Sequence, residues 1–399
     1  MAMINLSKEA TVGKALTPIA ILMMLSFPVA SQAAGLVIKN GTVYNANGVP
    51  VVDINKPNGS GLSHNIWDNL NVDKNGVVFN NSANESNTSL AGNIQGNSNL
   101  TSGSAKVILN EVTSKNPSTI NGMMEVAGDK ADLIIANPNG ITVNGGGSIN
   151  TGKLTLTTGT PDIQDDKLAG YSVNGGTITL GKLDNASPTE ILSRNVVVNG
   201  KVSADELNVV AGNNYVNAAG QVTGSVSATG YRNGYSVDVA KLGGMYANKI
   251  SLVSTEKGVG VRNLGVIAGG VNGVSIDSKG NLLNSNAQIQ SASTINLTTN
   301  GTLDNTTGTV TSVGTISLNT NKNTIVNTRA GNISTMGDIY VNSGTIANTN
   351  GKLAAAGMLA VDTNNATLIN SGKGSSVGIE AGLVALKTGT LNNSNGQIR

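Results

Sequence analysis

The sequence predicts an all-β fold and, within that class, a parallel β-helix, a solenoid whose coils stack on one another. Three observations predict it: a composition that suits strands and turns, turn signals such as Asn-Gly every eight to twelve residues, and a repeat of about 22 residues in the C-terminal third. Two strands in a repeat of that length are typical of β-helical arrays.

The composition is unfavourable for amphipathic helices. Charged residues make up 12% of the 399-residue chain, against about 25% in an average soluble domain, and glycine, with 51 residues, has nearly twice its usual share of about 7%. The net charge is +2 without a basic cluster, so the sequence gives no indication of nucleic-acid binding. The absence of cysteine excludes disulfides and thiolate metal sites.

The N-terminus has the features of a cleaved export signal. Two lysines precede the apolar stretch Ile19–Leu25, and a small-x-small cleavage pattern ends at Ala33. The apolar stretch is too short to span a bilayer. We therefore expect a signal peptide over residues 1–33, cleaved after Ala33 or Ala34, ahead of the folded part of the chain.

In the N-terminal half, short apolar runs alternate with turn signals, as in a chain of short strands. Leu133–Ile135 is a continuous apolar run, which predicts a strand covered on both faces. Asn137–Gly140 then fits a type I turn, in which Pro138 supplies the required φ near −65°. Ile141–Val143 predicts a second strand and Asn144–Gly147 a second turn.

From about residue 260 the spacing becomes periodic. One asparagine per repeat recurs at intervals of 21 to 23 residues, and apolar pairs keep step with it. Because one coil cannot bury its apolar face alone, we expect stacked coils with these asparagines above one another at a corner. At the other end of the chain, Tyr44, Trp67 and Phe79 would help to close the first coil. The reference asparagines are Asn284, Asn305, Asn327, Asn348, Asn370 and Asn393.

The sequence predicts no catalytic, cofactor-binding or metal-binding site. His64, the only histidine, lies near Ser63 and Asp68, but no G-x-S-x-G elbow surrounds it, so we expect it to stabilise a turn. Asp165-Asp166 predicts a solvated loop rather than an acid–base pair, since the sequence indicates no cleft around it. These residues therefore do not predict an enzyme.

Several segments resemble the secretion domain of filamentous haemagglutinin-type exoproteins, the passengers of Gram-negative two-partner secretion systems. The string A-N-P-N-G-I at Ala136–Ile141 resembles the signature of that domain. One departure is at Asn97–Leu100, where Ser98 replaces the proline of the N-P-N-L string that many members carry. The other similar segments follow in the expected order and are Gly59–Asn65, Val107–Val112, Asn121–Val126 and Leu242–Arg262.

The resemblance implies a right-handed β-helix with small extra-helical β elements in its N-terminal half. It divides the chain into a signal peptide (1–33), a two-partner secretion domain (34–255) and β-helical repeats (256–399). The repeats end without a terminal cap, which predicts the front of a longer exoprotein or a truncated gene. The implied secretion motif consists of Asn137, Pro138, Asn139, Gly140 and Ile141, with Asn97, Ser98, Asn99 and Leu100 as its companion.

The same resemblance implies an exported passenger, and the sequence itself indicates neither a cofactor nor a nucleic-acid partner. A dedicated outer-membrane β-barrel transporter would recognise it through periplasmic domains, and the passenger would reach the cell surface or the medium. There it would act as an adhesin or haemagglutinin on host-cell or bacterial surface receptors. Two alternatives stay open: the N-terminal part of a contact-dependent growth inhibition toxin, and a secreted carbohydrate-active enzyme on the same solenoid.

Overall fold

The computed structural model describes residues 35–229, 234–374 and 376–399, and every regular element in those ranges is a β-strand. The all-β prediction is therefore confirmed. The predicted cleavage residues Ala33 and Ala34 lie outside the described residues. Within the described ranges, no helix combines the length and the apolar character needed to cross a membrane.

The N-terminal half begins with a short strand and a hairpin and continues in parallel strands that stack coil on coil. Its first thirteen strands are β1 (Leu36–Ile38), β2 (Thr42–Ala46), β3 (Val49–Asp53), β4 (Leu62–Leu70), β5 (Val77–Asn81), β6 (Ser86–Thr88), β7 (Gly92–Ile94), β8 (Val107–Val112), β9 (Ser118–Ile120), β10 (Met123–Gly128), β11 (Ala131–Ala136), β12 (Ile141–Ile149) and β13 (Thr151–Thr157). Asn47 and Gly48 join β2 to β3 with φ angles of 52° and 83°, as a type I′ turn requires. The strands β4, β8, β11 and β13 pair in parallel, which is the stacking expected of a β-helix.

The next strands include a small sheet that is separate from the solenoid. They are β14 (Thr160–Gln164), β15 (Lys167–Val173), β16 (Thr177–Asp184), β17 (Thr189–Ser193), β18 (Asn195–Val198), β19 (Lys201–Ala211), β20 (Asn214–Asn217), β21 (Val222–Ser225), β22 (Tyr235–Val239), β23 (Gly244–Ser254), β24 (Gly260–Asn263) and β25 (Val266–Gly269). Strands β14, β15, β20 and β21 form an antiparallel four-stranded sheet, and β6 pairs only with β7 among the described strands. The prediction of extra-helical β elements in the N-terminal half is therefore confirmed.

The four-stranded sheet packs on the outer face of the solenoid. Tyr171 and Val216 of this sheet form a buried cluster with Ile134 of β11. The neighbours of Ile134 in the strand, Leu133 and Ile135, point into the main core and are fully buried. The apolar run therefore lies in a strand covered on both faces, as its sequence predicts. The Asp165-Asp166 pair forms the exposed turn between β14 and β15, as expected of a solvated loop.

The C-terminal coils contain three strands each, where the sequence indicated two. These strands are β26 (Val274–Ser278), β27 (Leu282–Leu283), β28 (Gln288–Ser291), β29 (Ile295–Thr299), β30 (Leu303–Asp304), β31 (Thr309–Ser312), β32 (Ile316–Asn319), β33 (Ile325–Val326), β34 (Asn332–Thr335), β35 (Ile339–Asn342), β36 (Ile346–Thr349), β37 (Lys352–Asp362), β38 (Thr367–Ser371), β39 (Gly378–Lys387) and β40 (Thr390–Asn392). The repeat pattern missed the third strand because it contains few apolar residues. In β28, for example, Ile289 is the single apolar residue, and it is fully buried.

The reference asparagines form a continuous ladder at one corner. Each of the first five donates its Nδ2 to the Oδ1 of the asparagine in the next coil, at distances from 2.6 to 2.9 Å. The predicted stacking is confirmed, and the ladder begins one coil earlier than predicted, since Asn263 donates to Asn284 at 2.8 Å. The ladder members from Asn263 to Asn370 are fully buried.

The structure contradicts two further expectations, one in part and one fully. Trp67 and Phe79 are fully buried in the first coils, as expected, but Tyr44 packs against a separate small cluster outside the main core. The predicted turn at Asn144–Gly147 is wrong, because β12 runs through it with shifts of register. Gly147 permits this course, since a Cβ there would lie 2.0 Å from the backbone oxygen of Asp184 in the next coil.

Candidate secretion-motif site

The stretch after β11 forms the tight turn that its sequence predicts. The N–H of Gly140 donates to the backbone oxygen of Asn137 at 3.1 Å, which closes a four-residue turn. Neither Pro138 nor Asn139 has a positive φ, as a type I turn requires, while Gly140 has a φ of 110°. That angle favours glycine. Ile141 then begins β12 and is buried in the core.

The side chain of Asn137 is buried and connects the turn to the preceding coil. Its Oδ1 accepts a hydrogen bond from the N–H of Asn139 at 3.0 Å, an Asx turn. Its Nδ2 donates to the backbone oxygen of Asn116 and to the hydroxyl of Ser118, both at 2.9 Å. Asn139 adds a bond from its Nδ2 to the backbone oxygen of Ser114. The motif is therefore part of a contact between coils.

Sequence reasoning missed these partners in the preceding coil. Asn116-Pro117 lies directly before Ser118, and Asn116 is 21 residues ahead of Asn137. That interval equals the shortest spacing in the C-terminal repeats. The signal that could have identified the contact is this second Asn-Pro pair at one coil's distance.

The companion segment Asn97–Leu100 forms the same turn without a proline. The N–H of Leu100 donates to the backbone oxygen of Asn97 at 3.2 Å, and the N–H of Asn99 donates to its Oδ1 at 2.9 Å. The Nδ2 of Asn97 reaches the backbone oxygens of Ile54 and Asn80. Ser98, in the proline position, is exposed. The replacement at Ser98 therefore leaves the hydrogen bonds of the turn intact.

The structure does not bring the two turns together. The companion turn precedes β8 and the motif turn follows β11, and these neighbouring strands are parallel, so the turns lie at opposite ends of the sheet. In both turns the first asparagine is buried: Asn97 is 1% exposed and Asn137 is 0% exposed. The surface of the folded domain presents mainly Ser98 and Asn139.

The other candidate residues have structural surroundings. His64 lies in β4 rather than in a turn, so the expected turn-stabilising role is wrong. Its Nε2 is 2.8 Å from Glu111 Oε2 in the neighbouring strand β8. Ser63 is fully buried and donates to the backbone oxygen of Asn55. Over the ranges that the structure describes, no three His, Cys, Asp or Glu side chains converge as a metal site would require.

One ionisable group in the strand that leads to the motif is perturbed. Asp132 lies at the start of β11 and lines a cavity together with Leu168 and Tyr171 of the four-stranded sheet. Burial raises the pKa of its carboxyl, and the charge of Lys153 opposes that shift. The shift has a structural cause, since the carboxyl lies beneath the covering sheet rather than beside a reacting group.

A β-helix with an antiparallel sheet on its outer face and two Asx turns at its coil corners defines the class of this protein. Residues 29–284 match the family described as TPS (two-partner secretion) secretion domain. The crystal structure of the filamentous hemagglutinin secretion domain is similar, with a TM-score of 0.58 and 30% sequence identity, over 82% of this chain and 99% of that one. The chain therefore belongs to the TPS secretion domain family and carries the secretion domain of an exoprotein exported by a two-partner system.

Curated relatives have a higher sequence identity over about 260 residues. The Toxin CdiA of Yersinia pestis is 45% identical over 258 residues, which is 63% of this chain and 8% of that protein. The 16S rRNA endonuclease CdiA of Enterobacter cloacae is 44% identical over 257 residues, again 63% of this chain and 8% of that protein. The chain thus spans less than a tenth of the length of these relatives. The match therefore does not show that this protein shares their activities.

Proposed function

We propose that residues 34–255 are the export signal of this passenger and that the periplasmic domains of an outer-membrane β-barrel transporter read it through Asn137–Ile141, with Asn97–Leu100 as a second contact. Membership of the family supports the transporter as partner and the Gram-negative outer membrane as the barrier that is crossed. The route runs through the periplasm, and the passenger ends at the cell surface or in the medium.

The observation that carries the proposal is the burial of Asn97 and Asn137 in the folded domain. A transporter domain cannot reach these amides once the coils have stacked. We therefore infer that the transporter binds the motif while the chain is still extended in the periplasm. Formation of the two turns and stacking of the coils would follow on the outer side, where each added coil opposes backward movement.

The test replaces two buried corner asparagines that make similar hydrogen bonds. Asn137→Ala and Asn348→Ala each remove an amide with partners in adjacent coils, at an expected cost of about 1–3 kcal/mol. Both variants are co-expressed with the transporter, and the secreted fraction and the melting midpoint are measured. Asn137→Ala should stay in the periplasm, whereas Asn348→Ala should be secreted. Equal loss of secretion at equal loss of stability would overturn recognition in favour of a folding role.

For the whole exoprotein, we propose an adhesin or haemagglutinin that acts on a host-cell or bacterial surface receptor. The similarity to the filamentous hemagglutinin secretion domain supports it. A second candidate is the delivery of a contact-dependent growth inhibition toxin, which the names of the CdiA relatives favour. In that case the toxic activity would lie outside these residues, and growth of neighbouring cells in co-culture would distinguish the two. No specific observation favours a carbohydrate-active enzyme.

A further inference from the structure

The parallel sheet beneath the four-stranded sheet continues far beyond it. Over the early coils its outer face is covered through Tyr171 and Val216. After β23 the sheet continues in register through β26, β29, β32, β35, β37 and β39. There, the outward side chains of Asn296, Tyr340 and Asn342 are exposed. The later coils therefore present an open sheet face.

This open face contains a trough of about 560 Å³ that crosses five coils. In-register pairing arranges its outward side chains in two rows along the solenoid. Since neighbouring strands lie about 4.8 Å apart, five strands give a surface about 19 Å long. The first row is Asn296, Ser317, Tyr340, Ala360 and Ala385, and the second is Thr298, Asn319, Asn342, Asp362 and Lys387.

Tyr340 is the aromatic side chain at the centre of the first row, and it is 41% exposed. Its hydroxyl donates to Asp338 Oδ2 at 3.2 Å, and Asp338 Oδ1 accepts the N–H of Met358 at 2.7 Å. The ring is thus held in position by a carboxylate that is itself fixed. Its cross-strand neighbours, Ser317 and Ala360, are short, so they leave the ring face open.

The polar groups of the trough have unused hydrogen-bonding capacity. Asn319 and Asn342 accept bonds at Oδ1 from the N–H of Asn321 and from Asn364 Nδ2, at 3.0 and 2.6 Å. Within the described residues their Nδ2 groups have no acceptor, and Asn296 makes no side-chain hydrogen bond. The corner asparagines of the same coils, by contrast, use both ends of their amides.

The charges of the trough cancel. Asp362 and Lys387 pair at 2.8 Å at one end of the second row, and the other members of both rows are uncharged. An anionic polymer would need unpaired cations. An extended peptide would need a free strand edge, whereas β29, β32 and β35 are hydrogen-bonded on both sides.

We propose that this trough binds an uncharged carbohydrate chain. Sugar rings present C–H faces that pack on an aromatic ring, and their hydroxyls both donate and accept, which matches amide and hydroxyl side chains. Tyr340 stacks on one ring, and Asn296, Asn319 and Asn342 bind hydroxyls of the rings beside it. The site is independent of the secretion motif, which lies in earlier coils.

The test titrates the purified chain with maltoheptaose, cellohexaose and chitohexaose as neutral probes, and with heparin as an anionic one. We expect at least one neutral probe to bind. Tyr340→Ala should weaken that binding by about tenfold or more, and Asn342→Ala by about two- to tenfold. Tyr340→Phe keeps the ring and loses only the bond to Asp338, so it should bind more tightly than Tyr340→Ala. The control Tyr215→Ala removes a tyrosine that is 50% exposed on the four-stranded sheet, and it should leave binding unchanged.

Three results would overturn the proposal. They are binding of none of the neutral probes, equal affinity in the wild type and in Tyr340→Ala, or a preference for heparin that weakens with salt. Because Tyr340 is an outward side chain, the Tyr340→Ala variant should keep the melting midpoint of the wild type, and that measurement separates loss of the site from loss of the fold.

Discussion

Both halves of the solenoid consist of stacked parallel strands, but different hydrophobic clusters stabilise them. In the N-terminal half, hydrophobic clusters lie both inside the coils and outside them, beneath the four-stranded sheet and the β6–β7 hairpin. In the C-terminal coils, every buried apolar residue except Ala287 belongs to the inner core. Irregular coils therefore need covering elements, whereas regular coils are stabilised by repetition.

Their corner asparagines differ in the same way. Asn284 and its equivalents donate to the next asparagine in the ladder, so every coil repeats one contact. Asn97 and Asn137 instead close individual Asx turns and bond to backbone oxygens of other coils. Burial is equal in both sets, so burial alone does not identify the motif that a transporter reads. A secretion assay on variants of both sets is needed to distinguish the motif from the ladder.

The largest effect should come from deleting the irregular half. A chain that lacks residues 34–150 loses both Asx turns and should not leave the periplasm. A chain that ends near residue 260 keeps both turns and should still reach the medium when the transporter is co-expressed. Immunoblots of periplasm and medium measure this. If the chain that ends near residue 260 stayed in the periplasm, the repeats would belong to the export signal.

Breaking the ladder should destabilise the regular half. In Asn305→Leu, the Oδ1 of Asn327 loses its donor, and the Nδ2 of Asn284 loses the Oδ1 to which it donates. We expect a loss of about 1–3 kcal/mol in the free energy of unfolding, and a similar loss for Asn327→Leu. Denaturant melts measure it, with Thr311→Ala on the same coil as a control within about 0.5 kcal/mol of the wild type. Asparagine variants as stable as the Thr311→Ala control would remove the structural role of the ladder.

A proline exchange compares the two Asx turns directly. Ser98 occupies the position of Pro138, and its N–H donates no hydrogen bond within the described residues. Ser98→Pro should therefore stabilise the domain by about 0.4–1 kcal/mol, and Pro138→Ala should destabilise it by a similar amount, because proline restricts the unfolded chain. Opposite shifts in the denaturation midpoint are expected. A destabilising Ser98→Pro would show that the two turns differ in backbone conformation.

The smallest effect concerns Asp132 and pH. Because burial raises the pKa of this carboxyl in the folded state, the stability it contributes is present below its unfolded pKa and is lost as pH rises through the folded value. Asp132→Asn should therefore raise the denaturation midpoint at about pH 7 and leave it nearly unchanged at about pH 3. The exposed Asp162→Asn is the control. The same midpoint shift at both pH values would contradict burial as the cause.

Local and periodic features were predictable from the sequence, and pairings between distant segments were not. The type I turn at Asn137–Gly140 and the corner ladder follow from short strings and a fixed interval. Asn263 was missed because its flanking residues do not match the repeats, although it occupies the first position of the ladder. The four-stranded sheet joins β15 to β20 across about 40 residues, and no local signal specifies that pairing.

The uncovered trough escaped prediction for a related reason. Asn296, Asn319 and Asn342 fit a solvated strand face as well as a binding site, and only their alignment across coils distinguishes the two. The His64–Glu111 pair likewise depends on the register of β4 against β8. Register between strands is set by the whole stack, so single segments do not reveal which side chains meet.

We infer that the transporter reads the motif before the domain folds. The most direct measurement is the affinity of the transporter's purified periplasmic domains for the folded chain and for a peptide of residues 130–147. We expect the peptide to bind and its Asn137→Ala form to bind more weakly. The folded chain should also bind more weakly than the peptide, because Asn137 is buried. Tight binding of the folded chain that Asn137→Ala leaves unchanged, with no binding of the peptide, would contradict it.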